Sequence, residues 1–343
     1  MKIQNRKISN INPPFIIAEI GINHNGNMLN VFRLIDYAVA AKCDAVKFQT
    51  INVSKLMIGN TPLANYQKKT KFKTMNDLIN RYNLSHSDFV KISDYCKKKK
   101  IIFLSTPFDV ESAFFLNKIN VPAFKISSSD NDNIFLIETI KKFKKPVIIS
   151  SGMTKINELK KILKFIRFPK NRLAILHCIS DYPTDIRNSQ LGAMDQLNKL
   201  GYQIGFSDHT IGSSAAIAAV AKGATIIEKH ITLDKNMEGP DHKASLECKD
   251  LNKFVKNLCD IKFSLGKKRN FISKKETDTK KVAKKAIYFS KKLDKNHKIK
   301  KDDLIALRPR LNGVSPMEYK KIIGKRLKDP VKAQTIFSKN KIR

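Results

Sequence analysis

Two lysines and two histidines stand where apolar patterns would otherwise run on. Lys47 interrupts AVKFQT, Lys125 follows Ala123 and Phe124, and His209 and His230 close two further apolar runs. A lone histidine in such a place is more often structural. Two of them, flanked by Asp208 and Glu228, point to a divalent cation such as Mn²⁺, Co²⁺ or Zn²⁺, with open positions left for a substrate oxygen. Without a carboxylate in the first shell, two imidazoles alone would bind such an ion weakly. The lysines admit three readings. Each could be neutralised by a carboxylate such as Glu19 or Asp130. Together they could cradle phosphate and carboxylate, with the hydroxyls of Thr106, Ser128, Ser150 and Ser151. One could instead form a Schiff base, a role that a metal would make redundant.

These residues share a structural position. Periodicity gives eight strand-then-helix units, with strands expected at 15–21, 45–50, 101–106, 123–127, 147–151, 173–178, 203–207 and 225–232. Helical patterns are expected at 29–41, 87–97, 110–117, 134–143, 157–166, 190–200, 213–222 and 251–265. Runs such as VIIS and LAIL are apolar throughout, as strands covered on both faces are. The polar interruptions all fall at carboxyl ends: Glu19, Lys47 with Gln49, Ser105 with Thr106, Lys125 with Ser127 and Ser128, Ser150 with Ser151, His177, Asp208 with His209, and Glu228 with His230. That pattern predicts an α/β fold, a TIM (β/α)8 barrel with its active site at the carboxyl face. A doubly wound open sheet is the alternative, and no G-x-G-x-x-G follows the first strand to support it. The expected organisation is a barrel over residues 1–266, a polar, basic linker over 267–281, and a compact module over 282–343 with two short strands and a small helix near Met317.

The bulk properties exclude several classes. Hydrophobic residues make up 42% of the 343, enough for a sizeable core. No apolar run approaches the roughly 20 residues that span a bilayer, and the N-terminus lacks the long apolar stretch of a secretory signal. The five cysteines form no C-x-x-C pair, which suits reduced thiols and a cytoplasmic protein. The net charge of +36 invites a nucleic-acid partner. Its lysines, however, fall in short runs closing amphipathic helices, arginine is scarce, and aromatics are not interleaved with the basic clusters. The charge instead favours anionic substrates.

The segments FIIAEIGINHNGN, AVKFQT, FLSTPFD, IISSGM, LHCISDYPT, GFSDHTIG and IEKHITLDKNMEGPDHKASLE resemble the sialic acid synthases, in that family's order. RPRLNGVSP resembles the family's C-terminal antifreeze-like (SAF, β-clip) domain. The resemblance implies condensation of phosphoenolpyruvate with N-acetylmannosamine or a 2,4-diacetamido-6-deoxymannose, giving N-acetylneuraminate or N,N'-diacetyllegionaminate and phosphate. It implies that His209 and His230 bind a divalent metal, Mn²⁺ first, with Mg²⁺ or Co²⁺ as alternatives. Lys47, Thr106, Lys125, Ser128 and Ser150 match positions that grip phosphoenolpyruvate. Glu19, Gln49, Tyr182 and Asp241 match groups around the acceptor sugar and the reacting carbons, and Arg308 matches an arginine that reaches the barrel of a partner subunit in a domain-swapped homodimer; Glu19, Lys47, Lys125, Asp241 and Arg308 are thereby expected to be catalytic. Three features depart from the pattern. Ser129-Asp130 replaces Gly-Glu, Ser180 stands where some neuraminate-type members carry Asn, and the loop after Arg308, with Arg310, is one residue longer. Asp130 and Ser180 are thereby expected at the sugar pocket. The rival readings are a related synthase for another acceptor (the pseudaminate precursor or a phosphorylated sugar) and a basic nucleic-acid-binding protein.

Overall fold

A computed structural model describes residues 1–266 and 272–343. The chain divides into two compact units, Met1–Gly266 and Lys267–Arg343. The first begins with a hairpin, β1 (Lys2–Ile3) and β2 (Arg6–Lys7). It continues β3 (Phe15–Gly21), α1 (Met28–Ala40), β4 (Ala45–Thr50), α2 (Val53–Leu56), α3 (Met75–Tyr82), α4 (His86–Lys99) and β5 (Ile102–Pro107). Then come α5 (Val110–Lys118), β6 (Phe124–Ile126), α6 (Ile134–Lys142), β7 (Val147–Ser150), α7 (Ile156–Ile166) and β8 (Leu173–Cys178). The unit closes with α8 (Ala193–Asn198), β9 (Gln203–Asp208), α9 (Ser214–Ala221), β10 (Ile226–Thr232), β11 (Leu246–Glu247) and α10 (Cys248–Ser264). Eight parallel strands run β5-β4-β3-β10-β9-β8-β7-β6, and β5 lies next to β6, so the barrel is nearly closed.

Local chemistry starts and stops the helices. Asn27 caps α1 through the Leu29 amide, Asp109 caps α5 through Ser112, and Ser85 forms a capping box with Asp88 at α4. The lysines at 97–99 occupy the last turn of α4, where cations complement the helix dipole. An outer apolar layer between strands and helices includes Val46, Phe48, Ile92, Leu136, Ile175 and Phe206.

The lumen has a second, smaller core at its amino end. Phe15, Ile17, Ala45, Leu104, Ala123, Ile148, Ala174 and Ile226 fill it, joined by Ile3 and Ile8 from the hairpin region. Alternation along each strand then sets what comes next on the inward face. Ile17 is followed by Glu19, Ala45 by Lys47, Leu104 by Thr106, Ala123 by Lys125, Ile148 by Ser150, and Ile226 by Glu228. The same face is thus apolar at one end and polar at the other. Residues 51–85, for which the periodicity gave no element, insert between β4 and the body of α4. They build a satellite cluster of Leu78, Ile79 and Tyr82 against Ile22 and Ile51, with Leu56, Met57, Met75 and Phe108 at its border.

The second unit contains α11 (Lys274–Ala283), β12 (Ala286–Phe289) and β13 (Leu304–Leu307), the two strands pairing antiparallel. Its core is Ile287, Phe289, Leu293, Ile299, Ile322, Leu327, Val331 and Phe337. Buried Asp303 accepts from the Lys300 amide at 2.8 Å and meets His297 at 2.7 Å and Lys291 at 3.0 Å. The expected linker is corrected in part. Residues 267–271 lie outside the described residues, and α11 occupies most of the remainder as a helix with no buried residue, capped by Ser273. A helix that buries no residue has no apolar stripe, so periodicity missed it. The expected helix near Met317 is a 3-10 segment, Pro316–Lys321. Among the described residues, no helix is long and apolar enough to cross a membrane.

Candidate active site

The polar end of the lumen opens into a cavity of about 520 Å³. Two lysines and two carboxylates dominate its floor, each side chain no more than 5% exposed. Lys47 Nζ lies 2.7 Å from Glu19 and donates to Thr106 Oγ1 at 2.9 Å. Lys125 Nζ donates to Ser150 Oγ at 2.7 Å. Glu228 sits between them, 3.5 Å from Lys125 and 3.9 Å from Lys47, and accepts from Ser207 Oγ at 2.8 Å. Burial alone would raise the Glu228 carboxyl, but Lys125 and Lys47 bring it down to about 2, so it stays ionised. Burial pushes Glu19 up to about 7 against the pull of Lys47. Burial also lowers Lys125, and the charge of Lys47 adds to that shift. Glu19 Oε1 and Glu228 Oε2 are buried without a hydrogen-bond partner. Such a floor has unsatisfied capacity for a ligand that brings charge and polar atoms of its own.

Above the floor stand the imidazoles. His209 and His230 have ring centroids 5.5 Å apart. His209 Nδ1 lies 2.7 Å from the Ile179 carbonyl, which can only accept, so in the neutral ring Nδ1 carries the proton and Nε2 the lone pair; against burial, Cys178 and that carbonyl raise the ring's pKa. His230 Nδ1 is buried and unpartnered. Burial holds His230 well below its ordinary pKa, with the charge of His209 adding to the shift, so it stays neutral and able to ligate. Tyr182 packs at 4.0 Å on His209 and edge-on to His230 at 5.8 Å, and Tyr66 from the 51–85 insertion lies 5.0 Å from Tyr182. Buried Asp241 has an unpartnered Oδ1 and is raised to about 6, by burial first and against the charge of His209. Among the described residues, no group of three or more His, Cys, Asp or Glu side chains is arranged to hold a metal ion. His209 and His230 are the nitrogen donors that a divalent ion with open positions would use here.

Comparison with known proteins places this arrangement. Residues 34–270 match the NeuB family and residues 284–343 match the SAF domain. The chain belongs to the NeuB family. It is 35% identical over 319 residues to the N,N'-diacetyllegionaminic acid synthase of Campylobacter jejuni, covering 90% of this chain and 94% of that one. The synthase of the same name from Legionella pneumophila is 34% identical over 345 residues, covering 96% and 97%. The solved N-acetylneuraminic acid synthetase of Leptospira borgpetersenii, in complex with citrate, superposes with a TM-score of 0.72 at 34% identity, covering 81% of this chain and 94% of that chain. The chain is thus an enzyme of the NeuB synthase family, a TIM-like barrel with a C-terminal SAF domain.

Within this NeuB barrel the cavity gathers Glu19, Lys47, Gln49, Thr106, Lys125, Ser128, Ser150, Ser180, Tyr182, His209, His230 and Asp241. Asp130 is not among the lining residues, and its expected place at the pocket is corrected. It accepts from Ser127 Oγ, Ser129 Oγ and Asn133 Nδ2, binding up its own loop. Among the described residues it pairs with no lysine, whereas Glu19 pairs with Lys47. Asp208, expected beside the histidines, faces away from the lumen onto Lys229. Ser151 and His177 also turn outward, bonding to the carbonyls of Leu176 and Ser189. Arg308 belongs to the second unit, where its side chain is exposed.

Sequence reasoning gave no role to Ser207 or Tyr66, and it treated Glu228 only as a neighbour of His230. Ser207 and Glu228 lie two residues before His209 and His230, so alternation alone puts them on the same inward face. Tyr66 sits in an aperiodic insertion and gave no signal.

Glu228→Gln removes the counter-charge that two buried cations share. The variant should lose about 3–5 kcal/mol of stability, the usual cost of breaking a buried ion pair from one side. Thermal unfolding measures this, and an unchanged melting temperature would contradict it.

Proposed function

We propose that this chain condenses phosphoenolpyruvate with an open-chain 2-acetamido sugar to form a nonulosonate. The preferred acceptor in this reading is 2,4-diacetamido-6-deoxymannose, giving N,N'-diacetyllegionaminate. The observation that carries the proposal is the floor: two buried lysines share one carboxylate held ionised, beside hydroxyls at Thr106, Ser128 and Ser150. That is the donor set a compact phosphate-and-carboxylate substrate needs. Preference for the deoxy acceptor is supported by the apolar wall that Leu56, Met57, Met75 and Ile79 give the same cavity. Such a wall suits acetamido and C6 methyl groups better than a C6 hydroxyl. The names of the Campylobacter and Legionella relatives support the same choice.

A divalent metal held by His209 and His230 would supply Lewis-acid polarisation of the sugar aldehyde. The rest falls to the chain's own groups. Lys47, Lys125 and Ser150 hold phosphoenolpyruvate so that its methylene carbon meets the aldehyde carbon, and a C–C bond forms. Glu19 orients a water and takes its proton as the oxygen adds to the enol carbon. That proton passes to the aldehyde oxygen, which becomes a hydroxyl. As the tetrahedral carbon collapses to the ketone, its added hydroxyl gives its remaining proton to the phosphate, which leaves with C–O cleavage, stabilised by the lysines.

Phosphate release from phosphoenolpyruvate across a panel of acceptors tests this reading. The diacetamido deoxy sugar should give the highest kcat/KM and N-acetylmannosamine less, and excess chelator should abolish turnover until Mn²⁺ is restored. A higher kcat/KM with N-acetylmannosamine would overturn the acceptor assignment. Full turnover in chelator would overturn the metal.

The active site is also proposed to be completed across a homodimer. Among the described residues no arginine lines the cavity, while Arg308 carries a rigid fork of donors suited to acetamido and hydroxyl groups. Arg308→Ala should weaken acceptor use more than phosphoenolpyruvate binding. Mixed with Lys125→Ala under conditions of subunit exchange, it should regain activity through hybrid sites. A dead mixture despite exchange would place Arg308 in cis or outside catalysis.

A further inference from the structure

Behind the two histidines lies an ion pair that the reaction does not touch. Lys229 and Asp208 are 1% and 0% exposed, and Lys229 Nζ lies 2.9 Å from Asp208 Oδ2. Asp208 immediately precedes His209, and Lys229 immediately precedes His230. Because successive side chains on a strand alternate, a histidine that faces the lumen obliges its predecessor to face the surrounding helices. The two are also register partners, Lys229 opposite Asp208, on the last rung of the β9–β10 ladder.

The pair extends past that rung. Lys229 Nζ also donates to the Thr210 carbonyl. Asp208 Oδ1 accepts from the Thr210 amide at 2.9 Å and from Thr210 Oγ1 at 2.7 Å. The residue after His209 is therefore gripped from both halves of the pair, while the Thr184 amide donates to the His209 carbonyl at 2.9 Å. On stability grounds such a pair is hard to account for. Replacing a buried ion pair with apolar side chains of similar volume is often neutral or stabilising. What the charges add is direction: a carboxylate and an ammonium with fixed partners hold a chain segment in one place.

We infer that Lys229 and Asp208 are positioning residues, which lock the ends of β9 and β10 so that His209 and His230 present their free nitrogens at one fixed separation. This rests on the metal reading above for its purpose, but not for its geometry. Groups that orient metal-bound histidines typically contact the ring itself. Here the restraint acts on the backbone through the preceding residue.

The test replaces both partners, Lys229→Met with Asp208→Leu, so that no charge is left buried alone. A second variant, Lys229→Met with Asp208→Asn, keeps an oxygen for Thr210 should the first fail to fold. Two readouts are taken on folded, full-length protein. Proton and nitrogen NMR of the metal-free enzyme reports whether His209 keeps its single Nδ1–H tautomer, held by Ile179. Calorimetry with Mn²⁺ reports affinity. The expected result is a near-normal melting temperature, loss or broadening of the His209 Nδ1–H signal, and Mn²⁺ affinity weakened by about tenfold to a hundredfold. Phosphoenolpyruvate affinity should be little changed. A folded variant with the wild-type His209 signal overturns the proposal, whatever its melting temperature. Wild-type protein that binds no Mn²⁺ refutes the metal reading alone, because the NMR comparison still decides the role of the pair.

Discussion

Lys47 and Lys125 are both buried in a barrel lumen, and two ammonium groups cannot remain charged there without a shared anion. Glu228 is that anion, reaching both lysines and fixed by Ser207. Desolvation of a carboxylate would normally favour its neutral form, yet here two cations outweigh it. Glu19 receives less compensation, from Lys47 at 2.7 Å, and burial leaves its carboxyl near 7. The floor therefore holds two cations against one firmly ionised carboxylate and one that can carry a proton. A substrate bearing phosphate and carboxylate would supply the negative charge that this floor lacks, which links its electrostatics to the chemistry proposed for it.

The rest of the barrel serves this arrangement. Its amino end is closed by Phe15, Ile17 and their apolar neighbours, with Ile3 and Ile8 beneath, so bulk water is kept from one side of the lysines. At the other end the 51–85 insertion adds an apolar wall and brings Tyr66 onto Tyr182, which itself packs on His209. Charged floor, imidazole pair and apolar wall thus occupy one continuous cavity. An acceptor sugar with acetamido groups on a deoxy frame would meet all three.

Much of this is legible in the sequence, because period two is strict in a strand. On each strand one inward residue places the next, Ile148 placing Ser150, Ser207 placing His209 and Glu228 placing His230. β3, β4 and β8 have the expected boundaries for the same reason. The differences come from the loops and from the last residues of the strands. Asp130 looked like a pocket residue from its place after β6, but a short carboxylate among Ser127, Ser129 and Asn133 is captured by its own loop. Asp208 looked like a metal carboxylate because it adjoins His209, although adjacency on a strand means opposite faces. Tyr66 and α11 carry no periodic signal, one lying in an irregular insertion and the other in a helix with no buried residue.

We propose that the paired lysines, and not the imidazoles, make the anion site. Calorimetric titration of phosphoenolpyruvate into metal-free wild-type, Lys125→Met and His209→Ala proteins tests it most directly. Wild type and His209→Ala should bind with similar affinity, while Lys125→Met should lose at least about tenfold, or about 1.4 kcal/mol. Undiminished binding by folded Lys125→Met would contradict the account.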